Sequence, residues 1–285
     1  MPRILIAGCG YVGQATADLF HTAGWVVEGW TRSARSAASL SAKPYPVRDV
    51  DISEPAQVAK CVGTFDAVIH CASSRGGDAE IYRQLYLDGA RNFLEIFPKS
   101  KVLFTSSTSV YAQRDGSWVT EESATKPMRE TSRILLEAER AVLNRGGIVA
   151  RLVGIYGPGR SALLSKFLAG TAIIDSENDR FVNQVHRDDI ASALFLLLSR
   201  ETEGTQIYNV VDDQPILQSE GYRWLARRLN RPLPPIGTSK QQRKRGDSNK
   251  RVSNAKLRRL RWTPRYPTFA DAMEESVLPS FALSC

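Results

Sequence analysis

The sequence has few cysteines and no long hydrophobic run. Its four cysteines form neither a Cys-x-x-Cys pair nor a zinc-ligand spacing, so neither a disulfide framework nor a structural zinc site is expected. The longest apolar stretch, Ala193–Leu198, is far shorter than the roughly 20 residues that cross a bilayer. The apolar N-terminal run breaks at Gly8–Gly10, which argues against a secretory signal. These absences predict a soluble, cytoplasmic protein with reduced cysteines.

The composition is that of a globular protein. Of the 285 residues, 42% are hydrophobic and 24% are charged, which excludes disordered, collagen-like and coiled-coil classes. The net charge is +8, and the segment Lys240–Arg261 holds ten basic residues against one acid. That segment is either a solvated face or a site where Arg243, Lys244, Arg245 or Arg251 binds a phosphate or carboxylate. Nucleic acid is disfavoured as a partner because no aromatic residues interleave with these cations.

Short apolar runs alternate with amphipathic stretches from Arg3 to Arg151. This alternation predicts right-handed βαβ units and an α/β fold with a doubly wound parallel sheet. Ligands of such sheets bind at the carboxyl ends of the strands. The predicted strands are Ile4–Ala7, Trp25–Trp30, Pro46–Val50, Phe65–His70, Lys101–Thr105, Ile148–Leu152 and Gln206–Val211, and the predicted helices are Tyr11–Ala23, Ala79–Phe97, Glu130–Leu143 and His186–Leu198. The segment Gly154–Gly159 is predicted to be a loop.

A glycine-rich segment lies directly between the first predicted strand and the first predicted helix. Gly8–Gly13 reads Gly-Cys-Gly-Tyr-Val-Gly. In a GxGxxG motif the first glycine permits the tight turn, the second lets the backbone approach a pyrophosphate, and the third lets the helix pack on the strand. The helix N-terminus adds N–H groups and the positive end of its dipole. This context predicts a dinucleotide-binding site.

The end of the second predicted strand distinguishes NAD from NADP. An acid at this position would bind the ribose of NAD, but the sequence here reads Thr31-Arg32-Ser33. A guanidinium group suits a 2′-phosphate, so Arg32, helped by Ser33 and Arg35, favours NADP. The alternative is that Arg32 is a solvated loop residue and that Glu28 reaches the ribose of NAD.

Ordered motifs along residues 3–265 resemble those of the extended short-chain dehydrogenase/reductase superfamily, which contains nucleotide-sugar epimerases and dehydratases. The GxGxxG form is similar to the atypical branch of that superfamily. The motifs are Gly8–Gly13, Phe65–Ala72, Ser106–Tyr111, Arg151–Arg160, Val185–Ala191 and Tyr208–Asp213. The resemblance implies a Rossmann-type NAD(P)-binding domain over residues 1–153. It also implies a smaller C-terminal substrate lobe over 154–285, interleaved with elements that complete the sheet.

The resemblance also implies an activity: an NAD(P)-dependent oxidoreductase or epimerase/dehydratase-like enzyme with a small polar substrate, anionic or sugar-nucleotide-like. Asp51 and Ile52 would flank the adenine, and Ser107 matches the Ser/Thr that polarises a substrate oxygen. The full set of expected cofactor-binding residues is Gly8, Cys9, Gly10, Tyr11, Val12, Gly13, Thr31, Arg32, Ser33, Asp51, Ile52, Cys71, Ala72 and Ser73. The expected substrate-side residues are Arg75, Tyr111, Tyr156 and Arg160. A homodimer through long helices is common in the superfamily.

The predicted helix Glu130–Leu143 departs from the family pattern. The family's chemistry uses a Tyr-x-x-x-Lys pair, in which the lysine lowers the pKa of the tyrosine and holds the nicotinamide ribose. Here Thr131 stands at the Tyr position and Leu135 at the Lys position. Thr131 is kept with Ser107 as a candidate catalytic residue, although its hydroxyl is a far weaker acid than a phenol.

Three alternatives follow from the missing pair. Another acid could act, and Tyr82, Tyr86, Tyr111 and Tyr156 are the candidates. Tyr86 stands where the family often has Asn. It either contributes a new hydroxyl to the active site or packs as an aromatic on an apolar helix face. In the second alternative, the hydride is transferred with only weak acid assistance from Ser107 or a water. In the third, the chain is a catalytically degenerate sensor or scaffold that binds NADP without turning it over.

One cluster of possible metal ligands has a simpler interpretation. His186, Asp188 and Asp189 resemble the family's helix start, where acids complement the helix dipole. No metal site is therefore predicted.

Overall fold

The computed structural model describes residues 1–61, 63–74, 76–200, 206–237 and 248–282. The predicted Arg75 lies outside these ranges, as do Lys240, Arg243, Lys244 and Arg245. The strands within the described ranges are β1 (Arg3–Ala7), β2 (Val26–Thr31), β3 (Val47–Asp49), β4 (Ala67–His70), β5 (Lys101–Ser107), β6 (Trp118–Val119), β7 (Ile148–Leu152), β8 (Gly154–Tyr156), β9 (Phe181–Val182), β10 (Gln184–His186), β11 (Ile207–Val210), β12 (Ile216–Leu217) and β13 (Arg251–Val252).

The helices of the same ranges include two π-helical turns, Arg83–Asp88 and Met273–Val277, and a 3₁₀ turn, Thr108–Val110. None of the helices in the described part of the chain is long and apolar enough to cross a membrane. The α-helices are α1 (Tyr11–Thr22), α2 (Ala34–Ala38), α3 (Pro55–Lys60), α4 (Ala79–Tyr82), α5 (Gly89–Ile96), α6 (Glu130–Leu143), α7 (Ala162–Leu168), α8 (Arg187–Ser199), α9 (Gln218–Leu229), α10 (Ala255–Arg259), α11 (Phe269–Ala272) and α12 (Leu278–Ala282).

The predicted α/β class with a doubly wound parallel sheet is confirmed. Seven of the described strands form one sheet in the order β11-β7-β5-β4-β1-β2-β3, with helices on its flanks. Strands β1 and β4 lie at its centre, and all of β4 is buried. Burial on both faces explains why these strands are continuous apolar runs rather than alternating ones.

The chain divides into two compact units. The first unit comprises Met1–Val110, Thr125–Arg151 and Ile190–Tyr208, and it contains most of the sheet. The second unit comprises Tyr111–Ala124, Leu152–Asp189 and Asn209–Cys285. It has an apolar core of its own, in which Tyr156 and Tyr222 are fully buried. The domain boundary at residues 153 and 154 stays a prediction.

Two segments differ from the predicted elements. The single helix predicted over Ala79–Phe97 is divided by the π-helical turn Arg83–Asp88. Inside that turn the carbonyl of Leu85 accepts a hydrogen bond from Nε2 of the buried His70 at 3.0 Å, a tertiary contact that helical periodicity does not reveal. The predicted loop Gly154–Gly159 begins with strand β8, which pairs in parallel with β10.

Candidate functional site

The glycine loop between β1 and α1 is fixed by backbone contacts. The N–H groups of Gly8 and Cys9 donate to the carbonyl of Trp30, at 3.0 and 2.7 Å. Gly8 has a φ of +100°, and a Cβ built there would lie 2.3 Å from the backbone nitrogen of Ala72. A Cβ on Gly13 would lie 2.2 Å from the Gly8 carbonyl oxygen. The packing of the protein therefore demands glycine at both positions.

Gly10 differs from these two glycines because it has free space beside it. A Cβ at Gly10 would meet only the Gly8 carbonyl oxygen, 4.0 Å away, so the space beside it is open. Gly10 is the N-cap of α1, and neither a capping side chain nor an acid is present in the first turn. An open glycine before an uncapped helix N-terminus suits a pyrophosphate. The loop therefore fits a dinucleotide.

The intervening loop residues contribute in different ways. Cys9 is buried, and burial raises the pKa of its thiol to about 11. Its Sγ packs toward Gly29 of β2, so Cys9 offers only its backbone to a ligand. Tyr11 is half-buried, and Val12 faces the core.

The segment after β4 lies against the glycine loop. Cys71 donates its N–H to the Ala7 carbonyl at 2.8 Å and its thiol to the Gly8 carbonyl at 3.4 Å. Ala72 is the residue that a side chain on Gly8 would strike, and Ser73 is exposed. The structure thus brings the predicted loop and the predicted β4 residues together at the carboxyl ends of neighbouring strands.

The turn after β3 is held by side chains. The carboxylate of Asp51 accepts from the N–H and hydroxyl of Ser53, at 3.0 and 2.7 Å. Ile52 is buried, and its carbonyl accepts from Nδ2 of the buried Asn92 at 2.8 Å. Asn92, on α5, was missed by sequence reasoning because nothing in the helix pattern marks an inward-facing amide.

The end of β2 presents Thr31, Arg32 and Ser33. Thr31 is the last residue of the strand and is buried. Ser33 caps α2 by accepting the N–H of Ser36 at 3.3 Å. Arg32 lies between them, exposed, and makes no ion pair with a described residue. The end of β2 therefore presents an exposed guanidinium.

Glu28, the alternative ribose ligand, is engaged within the sheet. It is 6% exposed and accepts the indole N–H of Trp30 at 2.8 Å. It also pairs with Nε of Arg48 at 3.2 Å. The carboxylate therefore has partners of its own inside the first unit.

The predicted catalytic hydroxyls lie where β5 ends and α6 begins. Ser107 ends β5, and its Oγ accepts the N–H of Ser109 at 3.2 Å. Thr131 is half-buried in the first turn of α6, and its neighbour Ser132 donates to Oγ of Ser109 at 3.1 Å. One turn further along α6, Leu135 is buried and carries no charge.

An ion pair missed by sequence reasoning anchors α6. Glu139 and Arg151 of β7 are both nearly inaccessible, and Nη2 of the arginine lies 2.6 Å from Oε2 of the glutamate. The hydroxyl of Ser106 donates to the same carboxylate at 2.6 Å. Charged residues on an amphipathic helix are expected to face solvent, so the pattern gave no signal for this pair.

Tyr86 lies in the first unit, on the π-helical turn. Its hydroxyl accepts the backbone N–H of Ser74 at 3.2 Å, and Oγ of Ser74 lies 3.4 Å away. Its ring stacks on that of His70, with centroids 6.3 Å apart, and contacts the ring of Tyr82 at 4.9 Å. Burial lowers the pKa of His70 to about 4, so this ring is neutral at pH 7.

The remaining candidates, Tyr111, Tyr156 and Arg160, belong to the second unit. Tyr111 is buried and donates its hydroxyl to Oδ1 of Asn209 at 2.9 Å. Tyr156 is fully buried, and desolvation, together with the charge of nearby acids, raises its pKa. Arg160 is exposed and closes a backbone turn with Gly157.

The His186 cluster is held by protein partners. The two carboxylate oxygens of Asp189 accept the backbone N–H groups of Arg265 and Tyr266, at 2.6 and 3.1 Å. Nε2 of His186 lies 2.9 Å from Oγ of Ser276. Within the described ranges, no group of three His, Cys, Asp or Glu side chains could hold a metal ion.

A parallel sheet with a GxGxxG loop leading from its central strand into a helix defines a Rossmann-type dinucleotide-binding protein. The NAD dependent epimerase/dehydratase family matches residues 4–210, more than half of the chain. The chain therefore belongs to this family, and the resemblance to extended short-chain dehydrogenases/reductases is confirmed.

Several known proteins are similar along nearly their whole length. Protein YeeZ of Escherichia coli K12 is 29% identical over 255 residues, which cover 84% of this chain and 88% of YeeZ. A Methylobacillus flagellatus structure, named as a candidate NAD-dependent epimerase/dehydratase, is 26% identical with a TM-score of 0.80 and 99% coverage of both chains. The dTDP-glucose 4,6-dehydratase of Bacillus anthracis, solved with NAD, is 18% identical. It has a TM-score of 0.82, covers 98% of this chain and 96% of its own, and shows the shared fold alone.

Proposed function

We propose that this protein is an NADP-dependent oxidoreductase of its family. Its substrate would be a small polar molecule with a carbonyl or hydroxyl group, anionic or sugar-nucleotide-like. The observation that carries this proposal is the open glycine loop beside the exposed Arg32, with Glu28 already engaged by Trp30 and Arg48. When bound, NADP would supply the hydride donor or acceptor. The family and the NAD-bound neighbour support a nicotinamide cofactor.

The cofactor would rest on the carboxyl ends of β1, β2, β3 and β4. The backbone N–H groups that follow Gly10 would bind the pyrophosphate. Arg32 would form charge-assisted hydrogen bonds to the 2′-phosphate, for which Ser33 would supply a neighbouring hydroxyl. Asp51 and Ile52 would flank the adenine, and Cys71, Ala72 and Ser73 would line the middle of the cofactor.

Ser107 would orient the substrate by donating its hydroxyl to the reacting oxygen. In the family pattern the proton comes from a tyrosine on α6, but Thr131 and the buried Leu135 cannot form that acid–base pair. We assign the proton to the phenol of Tyr86 instead. Unlike Tyr111 and Tyr156, it belongs to the first unit, and its oxygen accepts the backbone N–H of Ser74, which fixes the position of the phenol.

The test is NADPH consumption against a panel of keto acids, keto sugars and their phosphate esters. Wild-type protein should oxidise NADPH with at least one compound. Tyr86→Phe should lower kcat by about 100-fold or more, because it removes the acid and leaves the ring. Tyr82→Phe, the matched control, removes a hydroxyl from the neighbouring tilted ring and should leave kcat unchanged. Full activity in Tyr86→Phe would refute the role given to Tyr86.

A second candidate function is a binding protein that senses NADP without turning it over. Leu135, buried where the family's lysine would stand, favours this alternative. It predicts tight NADPH binding with no NADPH consumption by any compound of the panel. Ser107→Ala would then change nothing measurable, whereas the enzyme requires that it abolish turnover and leave the affinity for NADPH intact.

A further inference from the structure

A proline-rich segment follows α9 in the second unit. Residues 231–236 read Arg-Pro-Leu-Pro-Pro-Ile. Proline fixes its own φ at about −65°, and a residue that precedes a proline avoids the α region, so Arg231, Leu233 and Pro234 are restricted by the residues that follow them. Residues 231–235 accordingly form no helix or turn. These restrictions favour the extended polyproline II conformation, and we call residues 231–236 the proline segment.

Both ends of the proline segment are fixed by backbone hydrogen bonds. The N–H of Arg231 donates to the carbonyl of Ala226 in α9 at 3.0 Å. At the other end, the buried Ile174 donates its N–H to the Pro235 carbonyl, and its own carbonyl accepts the N–H of Gly237, both at 3.0 Å. A segment that is fixed in this way loses little conformational entropy when a partner binds to it.

The proline segment exposes two of its three faces. Polyproline II repeats every three residues, or about 9 Å, so residues three positions apart share a face. Pro232 and Pro235 share one face, and both are exposed. Leu233 and Ile236 share the next face and are 55% and 75% exposed, whereas Pro234 on the third face is half-buried. The segment therefore presents two Pro–aliphatic pairs to solvent, one turn apart.

A connecting role explains the prolines but not the exposed aliphatic side chains. Prolines stabilise a loop by restricting the unfolded chain, and polar neighbours would serve a connection equally well. Instead, Leu233 and Ile236 form an exposed apolar surface with the prolines. Ile173, which is 37% exposed, extends this surface: a Cβ built on Gly237 would lie 3.9 Å from its Cγ2. A contiguous apolar surface of this kind is typical of an interaction site.

The chemistry of the proline segment restricts its partner. Three of its six residues are prolines and lack an N–H, so a partner strand cannot pair along it. The partner must contact side chains instead, and grooves lined with aromatic residues do this for polyproline II segments. Arg231 precedes the first proline, is exposed and forms no ion pair with a described residue. An acidic side chain at one end of such a groove would complement this charge.

We propose that the proline segment is a docking site for a protein domain that has an aromatic-lined groove with an acidic residue at one end. The two Pro–aliphatic pairs occupy successive pockets of the groove, and Arg231 pairs with the acid and sets the direction of the segment. This role goes beyond the proposed reaction: the proline segment belongs to the second unit, whereas the glycine loop belongs to the first.

The test is calorimetric titration of the full chain with an isolated SH3 domain, chosen as the probe for its aromatic-lined groove with an acid at one end. The chain should bind this probe at least as tightly as a synthetic peptide of residues 231–237 does, because the fixed segment has less entropy to lose. Leu233→Ala should weaken binding by about tenfold or more, because it empties one pocket. Leu168→Ala removes an exposed leucine of α7 in the same unit and should leave the affinity unchanged.

A second variant tests the charge at the start of the segment. Arg231→Gln should weaken binding to the acidic probe by about threefold or more. The same change should have no effect on a probe in which the acid has been replaced by its amide, because the two charges then no longer interact. Equal losses with both probes would contradict the pairing of Arg231 with the acid.

Three results would overturn the inference. The first is failure of the full chain to bind the probe, whether or not the peptide binds, and the second is unaltered binding in Leu233→Ala. The third is a wild-type dimer that Leu233→Ala converts to a monomer in sedimentation, because a second copy of the chain would then cover the segment. Both leucine variants should keep the wild-type Tm, since exposed side chains contribute little to stability. A Tm lowered in Leu233→Ala alone would make this leucine structural and would count against docking.

Discussion

Each unit of the protein buries a cation, and the two cations are treated in opposite ways. Arg151 of the first unit is 3% exposed and pairs with Glu139, which also accepts the Ser106 hydroxyl. Lys250 of the second unit is 4% exposed, and among the described residues its Nζ donates to the Tyr111 carbonyl at 3.5 Å. The buried pair joins α6 to β7, whereas no carboxylate of the described residues pairs with Lys250. Burial alone does not distinguish the two cations, but their partners do.

The same contrast extends to other buried polar side chains of the two units. Of the buried side-chain atoms without partners in the described residues, one, Nδ1 of His70, belongs to the first unit. The others, on Gln113, Gln184 and Asp212, belong to the second. More of the buried polar atoms without a described partner therefore belong to the second unit than to the first.

The largest effect is expected from breaking the satisfied pair. Glu139→Ala should lower the free energy of unfolding by about 3–5 kcal/mol, because it leaves the buried Arg151 without its carboxylate. Glu137→Ala is the control on the same helix: it breaks the half-exposed pair with Arg83 and should change stability by less than about 1 kcal/mol. Urea unfolding measures both. Similar losses in the two variants would contradict the distinction drawn for Arg151.

The next largest effect is expected in the glycine loop, where one substitution should affect folding and another should affect cofactor binding. Gly13→Ala should lower the free energy of unfolding by about 3 kcal/mol, because its Cβ would strike the Gly8 carbonyl. Gly10→Ala meets no protein atom closer than 4.0 Å and should keep wild-type stability. It should nevertheless lose NADPH binding, since the methyl group fills the space for the pyrophosphate. Normal NADPH affinity in Gly10→Ala would place the cofactor elsewhere.

A pH effect is expected from the buried histidine of the first unit. Burial lowers the pKa of His70 from 6.5 to about 4. Because the unfolded chain takes up the proton more readily, the free energy of unfolding should fall as pH drops from about 6.5 toward 4. The slope from one such group is at most about 1.4 kcal/mol per pH unit. His70→Gln, which keeps a donor for Leu85, should reduce that slope in urea unfolding between pH 5 and pH 7.

The wild-type protein is the reference for that measurement, since other groups titrate in the same range. His186 of the second unit also has its pKa lowered to about 4, mainly by burial, and contributes the same sign of slope in both proteins. Asp189, whose pKa burial raises to about 6, contributes the opposite sign in both. An unchanged slope in His70→Gln would mean that His70 does not titrate as its burial requires.

The smallest effect concerns Tyr111, which sequence similarity placed among the substrate residues. Its hydroxyl donates to Asn209 inside the second unit, so Tyr111→Phe should cost about 1 kcal/mol of stability. If that hydrogen bond is its main role, KM for any substrate found should stay the same. A changed KM with unchanged stability would return Tyr111 to the substrate site.

The sequence predicted the bounds of helices and strands well where the signals, apolar periodicity and capping residues, lie within or next to the element itself. The bounds of α6 and β7 were predicted to the residue, and α1 ends one residue before the predicted position, with Gly24 beyond it at a φ of +85°. The π-helical turn could not be predicted, because its contact to His70 joins residues 15 positions apart in the chain. Glu139 and Lys250 were missed for a related reason: charge suggests exposure, and only tertiary packing reveals burial.

The candidate site was likewise predicted in part: the glycine loop could be predicted from local sequence, and the choice among the tyrosines could not. The glycine loop could be predicted because GxGxxG places its requirements in nearby residues: Gly8 and Gly13 leave no room for a Cβ, and Gly10 leaves open space. The sequence left four tyrosines open as candidate proton donors, because nothing in it describes their surroundings: Tyr82, Tyr86, Tyr111 and Tyr156. Their surroundings differ sharply: the rings of Tyr111 and Tyr156 are sealed in the second unit, while Tyr86 accepts a backbone N–H beside β4.

The most direct test of the account is the affinity of the protein for NADPH and NADH, in wild type and in Arg32→Ala. Trp30 is a suitable fluorescent reporter, because its carbonyl holds the glycine loop and its ring is fully buried. Wild-type protein should bind NADPH at least about tenfold more tightly than NADH, because a charge-assisted hydrogen bond from Arg32 to the 2′-phosphate contributes about that much to affinity. Arg32→Ala should bring the two affinities together by weakening NADPH alone. Tighter binding of NADH by wild-type protein would contradict the account and assign the ribose to an acid such as Glu28.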